Sequence, residues 1–258
     1  MSPRLRLFLF AAACLCLVPA VISVARHMPM FGDHPMPYGD AINALAPVQR
    51  HVSNMISAVN FDYRGFDTLG EEFMLLCAVT GTVVLLRGTR GEQLSARPGI
   101  VPGQPILLRS PAAVLICRIF APAIVLFGIY VVLHAMTTPG GGFQGGVIIA
   151  SGFVLLFVGE GYEVWRRMVR SPVLAACEGL GATTYALCGF ASMLAGHPFL
   201  QNFLPFGTLR DVFSGGLMQI QNAGIAFAVA GGFGTVLLEF LEETRAIKPD
   251  DAGPGDGT

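Results

Sequence analysis

Two groups of residues in this chain have the types and spacing to handle ions inside an apolar medium. The first is the run N-F-D-Y-R-G-F-D-T-L-G-E-E, in which Asp62, Arg64, Asp67, Glu71 and Glu72 crowd against the start of a long apolar stretch. Ionisable side chains at a membrane boundary mark ion or proton paths when they face protein or water instead of lipid. A structural reading is equally open. Thr68 followed by Glu71 fits a capping box, and carboxylates in a first turn favour the helix dipole. That accounts for Glu71 but not for Asp62, Arg64, Asp67 and Glu72 together. The second group is Arg118, Glu160, Glu163, Glu178 and Glu239, each at a similar depth from one end of its apolar run. One arginine and four carboxylates at one level would make a buried polar layer, in which carboxyl groups can carry protons. Glu163 stands three and four residues before Arg166 and Arg167, the spacing of plain interfacial pairing. Glu178 has no local basic partner.

Other chemistries find little support. Gly140, Gly142 and Gly145 satisfy G-x-G-x-x-G, but the dinucleotide fingerprint needs a preceding strand and a βαβ unit, and no Lys-Ser or Lys-Thr follows to make a Walker loop. His134 stands alone at the end of an apolar run and reads as a hydrogen-bonding residue. His27, His34, His51 and His197 fall in loops without metal-ligand spacing, so no metal and no cofactor are expected. The six cysteines (Cys14, Cys16, Cys77, Cys117, Cys177 and Cys188) lie inside apolar runs and read as small hydrophobes. No nucleophile stands with a base, which argues against an enzyme. A net charge of −1 gives no sign of a nucleic-acid partner.

The elements that must position these residues are legible from composition. Of 258 residues, 53% are hydrophobic and 13% charged, with mean hydropathy +0.62. This predicts an all-α, polytopic membrane protein. Six spans are expected: Leu7–Ala25, Leu69–Leu86, about Ala112–Met136, about Gly142–Trp165, Val173–Gly196 and about Gly215–Phe240. The first follows Arg4 and Arg6; a cleaved leader is its rival, though a leader's apolar core is shorter. Between the first two spans runs a polar loop with Pro29, Pro35 and Pro37 and a short helix expected near Val48–Val59. Residues 1–87 thus form a two-span module with an external loop, 88–110 a Pro/Gly linker, 111–245 a four-span domain and 246–258 a disordered tail. With the N-terminus inside, Arg4, Arg6, Arg87, Arg90, Arg97, Arg109, Arg166, Arg167, Arg170, Arg245 and Lys248 are cytoplasmic. Only Arg26, Arg50, Arg64 and Arg210 lie outside, so both termini are expected in the cytoplasm of a cell with this chain in its inner (plasma) membrane.

Between the third and fourth spans stands T-T-P-G-G-G-F-Q-G-G, Thr137 to Gly146, a tight uncharged bend in a helical hairpin. Pro139, Gly140, Gly141, Gly142 and Phe143 make the turn. Gly145, Gly152 and Gly159 then fall seven apart. With Gly146, they offer small-residue surface on which another helix backbone can pack closely.

The stretch T-T-P-G-G-G-F-Q-G-G-V-I-I-A and the final A-G-I-A-F-A-V-A-G-G-F-G-T-V-L-L-E-F-L resemble the B subunit of Mrp-type (Mnh-type) multisubunit cation/proton antiporters, over about Pro111 to Glu243. Separately, N-F-D-Y-R-G-F-D-T-L-G-E is similar to a domain at the C-terminal end of the large A subunit of those antiporters, found also as the separate small E subunit of membrane-bound hydrogenases. Many relatives carry His-Gly-His before the turn, where this chain has His134, Ala135 and Met136. The resemblance implies an accessory membrane subunit of a complex exchanging Na+ or another monovalent cation for H+, with other antiporter or hydrogenase subunits as partners. It implies no independent transport, since the only lysine is Lys248 and lysine-bearing broken helices are lacking. On this reading Asp62, Arg64, Asp67, Glu71, Glu72, Glu160 and Glu178 are candidates for the ion or proton pathway. An ion-coupling subunit of a respiratory complex and a purely structural assembly subunit remain alternatives.

Overall fold

The computed structural model describes residues 3–28, 36–96, 100–102, 110–243 and 245–247; residues 3, 88–96, 100–102, 162–163, 242–243 and 245–247 are described by backbone alone. The proline-bearing stretch 29–35, linker residues 97–99 and 103–109, the tail from Lys248 and the side chain of Glu163 lie outside this description. The helices are α1 (Pro3–His27), α2 (Pro37–Gln49), α3 (Met55–Ala58), α4 (Gly65–Ala96), α5 (Pro111–Leu133), α6 (Gly142–Glu160), α7 (Tyr162–Met168), α8 (Ser171–Leu194) and α9 (Leu217–Glu243). A π-helical turn, Val59–Tyr63, leads from α3 toward α4. Ile100–Pro102 pairs antiparallel with Arg245–Ile247. Among the described residues, six helices are long and apolar enough to cross a membrane: α1, α4, α5, α6, α8 and α9. The chain is a multi-pass membrane protein of the all-α class.

The chain divides into two compact units, residues 1–41 and 42–258. In the first, α1 is a single apolar helix whose described side chains are exposed apart from the half-buried Ala12. The second holds α3 to α9, and α9 is its centre, packing against α4, α6 and α8. Lipid tails are as apolar as leucine, so helices in a membrane associate through close packing and hydrogen bonds instead of hydrophobic burial. Glycine supplies the close packing here. A Cβ on Gly145 would stand 2.4 Å from Val132 Cγ2 of α5 and 2.8 Å from the Gly128 carbonyl. Gly152 meets Val125 and Gly159 meets Cys117 in the same way, so this stripe of α6 lies against α5. Gly142 and Gly146, on another face of α6, abut Asn222 and Val229 of α9. Gly181 of α8 lies on the backbone of Gly224 and Ala228 of α9, where a Cβ would come within 2.4 Å of main-chain atoms.

The structure redraws several expected boundaries. Of the stretch Val48–Val59 expected to hold a short helix, Met55–Ala58 is helical as α3, while the longer α2 lies earlier and Ser53 and Asn54 between them dock on the bend. The second span starts at Gly65, so Thr68 sits inside α4 and faces Tyr185. The capping box therefore does not form, because the π-helical turn brings the chain into α4 four residues earlier than the apolar run suggests. α4 also continues to Ala96, into the stretch read as linker. The third span ends at Leu133, and the fourth breaks at Gly161, whose φ of +83° no other residue adopts cheaply. The short α7 beyond the break is fixed by Trp165, which is fully buried against Val169, Leu174 and Leu238 and donates its indole N–H to the Phe153 carbonyl at 2.8 Å.

Candidate functional site

The first acidic group divides in four directions. Asp62 pairs with Arg50 at 2.9 Å, and the Arg50 guanidinium lies over the Tyr63 and Phe206 rings at 5.3 and 5.2 Å. Arg64 and Asp67 form an exposed ion pair with each other. Glu71 points outward from the bundle. Asp62, Arg64, Gly65, Phe66, Phe199 and Gln201 line a recess of about 280 Å³ at this end of the unit, hereafter the bend end. Glu72 alone turns inward and is 1% exposed.

The floor of the recess is a helix contact. The Tyr185 hydroxyl of α8 donates to the Gly65 carbonyl of α4 at 2.8 Å. Glu72 is two turns further along α4, and Glu178 is two turns back along α8. The contacts of Val79 and Glu178 with a common neighbour, Gly232 of α9, show that the two helices run antiparallel. Glu72 and Glu178 are thus brought to adjacent levels of one interface and lie within electrostatic reach of each other. Glu178 is 7% exposed. Gly232 makes room for it: a Cβ there would stand 3.7 Å from Glu178 Oε1 and 3.1 Å from Val79 Cγ2. Both carboxylate oxygens of Glu72, Oε1 of Glu178, both amide atoms of Gln221 and the Thr235 hydroxyl are buried without a hydrogen-bond partner among the described residues. Unpaired polar atoms in a protein interior cost several kcal/mol each in apolar surroundings, roughly 2–7, unless protonated or hydrated. On α9, Gln221, Ile225, Ala228, Gly232, Thr235 and Glu239 follow the three-and-four spacing of a single helical face.

The expected single layer of five charges is not what forms. Arg118 and Glu160 make a two-pronged ion pair between α5 and α6, with one bond at 3.1 Å. Arg87 of α4 holds Glu239 of α9 through two bonds at 2.7 and 3.0 Å, with Glu239 itself 1% exposed. Glu178 belongs to neither pair, because it lies on the side of α8 that faces α4 and α9. These two ion pairs mark the arginine end of the unit.

The glycine bend is clamped by residues that sequence reading passed over. The Asn54 amide nitrogen lies 2.8 to 3.0 Å from the carbonyls of Ala135, Thr138 and Gly140 and from the Ser57 hydroxyl. Ser57 and Ser53 donate to Ala135 and Thr137, and the Ser53 and Asn54 N–H groups donate to Met136. From the other side Asn222 accepts the Gly142 N–H at 2.6 Å and donates to the Val132 carbonyl at 2.9 Å. Gly140 takes φ +137°. His134 is absorbed locally, stacked on Tyr130 at 4.0 Å with its ring nitrogen 3.0 Å from the Tyr130 carbonyl. The amides Gln219, Gln221 and Asn222 within an apolar run were the available signal for this second clamp.

Comparison with known proteins places this architecture. Residues 112–235 match the family model described as a domain related to the MnhB subunit of Na+/H+ antiporters. A putative antiporter subunit mnhB2 of Staphylococcus saprophyticus is 30% identical over 130 residues, covering 48% of this chain and 88% of that protein. A protein of Methanocaldococcus jannaschii is 30% identical over 208 residues, 71% of this chain and 75% of its own length. A probable K(+)/H(+) antiporter A/B subunit of Rhizobium meliloti is 28% identical over 62% of this chain, which spans only 17% of that larger protein. Among solved structures, a chain of the archaeal membrane-bound sulfane sulfur reductase aligns with TM-score 0.70 and 26% identity over 92% of this chain and 99% of its own. A chain of the Mrp complex from a Dietzia species shares the fold, with TM-score 0.68 and 22% identity over 96% of this chain and 27% of that one. The chain belongs to the MnhB family of multisubunit antiporter membrane subunits.

Proposed function

We propose that this chain is an accessory subunit of a multisubunit monovalent-cation/proton antiporter and that its own side chains help form the translocation pathway. It is a transporter subunit and not itself an enzyme. The observation that carries the reading is Glu72: a carboxylate enclosed within a membrane-spanning bundle, both oxygens unpartnered. Such a group is costly, and in membrane proteins it marks ion or proton movement by default. A purely structural subunit has no use for it. Asp62 and Arg64 line the recess at the bend end, with Asp67 paired to Arg64 and Glu71 exposed one turn beyond it, and ions arriving from a neighbouring subunit would meet this chain there. Glu160 and Glu239 stand at the arginine end, each held by an arginine. The arginine distribution supports a cytoplasmic arginine end and an outward bend end. On the proposed division into a two-span module (residues 1–87) and a four-span MnhB-like domain (residues 111–245), Glu72 belongs to the first and Glu178 to the second.

The likeness to a chain of a sulfane sulfur reductase supports a second reading, in which the same ion-handling chain serves a redox-driven complex. Purification of the tagged chain in mild detergent with mass-spectrometric identification of its companions separates the two. Antiporter-type subunits alone support the first reading. Iron–sulfur or other redox subunits in the same complex replace it with the second. Recovery of the chain by itself counts against both.

A further inference from the structure

Within the pathway reading, we propose that Glu72 and Glu178 form one proton-carrying site inside this chain, exchanging a proton between two carboxyl groups across the α4–α8–α9 junction. The site is internal. Glu72 is 1% and Glu178 7% exposed in the isolated chain, so a partner protein docking on the surface cannot reach in to neutralise them. Among the described residues no cation is placed against the pair. The charged and titratable groups in electrostatic reach of Glu72, besides Glu178, are Glu71 on α4 and Tyr185 on α8. Arg87 is engaged with Glu239, about 22 Å along α4 from Glu72 at helical rise. Two carboxylates in a low-dielectric interior and in reach of each other do not both ionise, so the pair retains a proton. A bare metal cation would need a closed cage of oxygens, whereas the apolar Val79 side chain packs at Gly232 beside Glu178.

Polar groups approach the pair from both ends. From the bend-end recess, the Tyr185 hydroxyl on Gly65 faces Thr68, and Thr68 stands one turn from Glu72 on α4. From Glu178, Gly232 leads one turn along α9 to Thr235, and Thr235 one turn to Glu239 at the arginine end. In the transfer step the Glu72 O–H bond breaks and an O–H bond forms on Glu178. The pair keeps a net charge of −1 before and after, so no charge separation accompanies the step.

The test uses dicyclohexylcarbodiimide, which adds to protonated carboxyl groups in apolar surroundings, on the whole complex in native membranes, read by peptide mass spectrometry. The expected result is modification at Glu72 or Glu178 near neutral pH, unchanged by saturating Na+, and lost at the substituted position in Glu72→Gln and Glu178→Gln. Absence of label at both positions, while other membrane carboxyls react, overturns the proposal. Protection by Na+ of about tenfold also overturns it, in favour of a metal-cation site. Because this readout needs no exchange activity, it separates the two ideas. Label with normal exchange in both glutamine variants keeps the site and removes its pathway role. Exchange without label keeps the antiporter reading and removes the site.

Discussion

Asn54 offers the sharpest test of how the bend is held. Its side-chain amide has two N–H donors shared among the Ala135, Thr138 and Gly140 carbonyls and the Ser57 hydroxyl, while its oxygen accepts the Ile56 N–H and caps α3. Asn54→Leu keeps the volume and removes every polar contact. Ala135 retains the Ser57 hydroxyl at 2.7 Å, so the losses fall on Thr138, Gly140 and the cap. Two part-buried hydrogen bonds at about 1 kcal/mol each, plus about 1 kcal/mol for the cap, give a destabilisation of ~3 kcal/mol. For a unit of this size that lowers the thermal midpoint by ~6–12 °C. Asn54→Asp separates the roles, because aspartate keeps the cap but places negative charge against three carbonyls. The assay is fluorescence-detected size-exclusion of the tagged complex after heating. Both variants are expected to melt well below wild type, with aspartate at least as low as leucine. A wild-type midpoint for Asn54→Asp would refute the clamp.

Three further outcomes follow from the packing and the ion pairs. Gly181→Val puts a branched side chain where a Cβ alone comes within 2.4 Å of α9 main-chain atoms, so the protein should fail to accumulate, as seen by immunoblot of membranes, whereas Gly179→Ala, with open space around it, should accumulate normally. Arg87→Met removes a two-pronged partner from the nearly fully buried Glu239 and should lower the midpoint, whereas Arg87→Met combined with Glu239→Gln should recover most of the loss. Asp67→Ala and Glu71→Ala should reduce exchange in inverted vesicles while the complex stays assembled, as judged by co-purification; undiminished exchange in both would remove these two carboxylates from the pathway.

The spans could be read in advance because apolar runs of membrane length have few other uses. The hairpin could be read because Pro139 and five glycines between Thr137 and Gly146 leave no alternative to a turn. The spacing of Gly145, Gly152 and Gly159 identified a packing face, though only the structure names α5 as its partner. What escaped reading depended on register between distant segments. Nothing near Glu72 or Glu178 in sequence says that they come within electrostatic reach of each other; their levels are set by Tyr185 resting on Gly65 and by the space at Gly232. Asn54 lies in a polar loop, where an asparagine is unremarkable until its acceptors arrive from residues 135–140. Thr68 and Glu71 fit a capping pattern locally, but the π-helical turn before Gly65 carries the helix past them.

The central claim is that this chain takes a direct part in ion exchange through the carboxylate of Glu72. It is tested most directly by Na+-driven dissipation of a pH gradient in inverted membrane vesicles carrying the whole complex with Glu72→Gln, alongside a quantified check of assembly. The account predicts normal assembly with exchange reduced by about tenfold or more. A normally assembled Glu72→Gln complex that exchanges at the wild-type rate would contradict it.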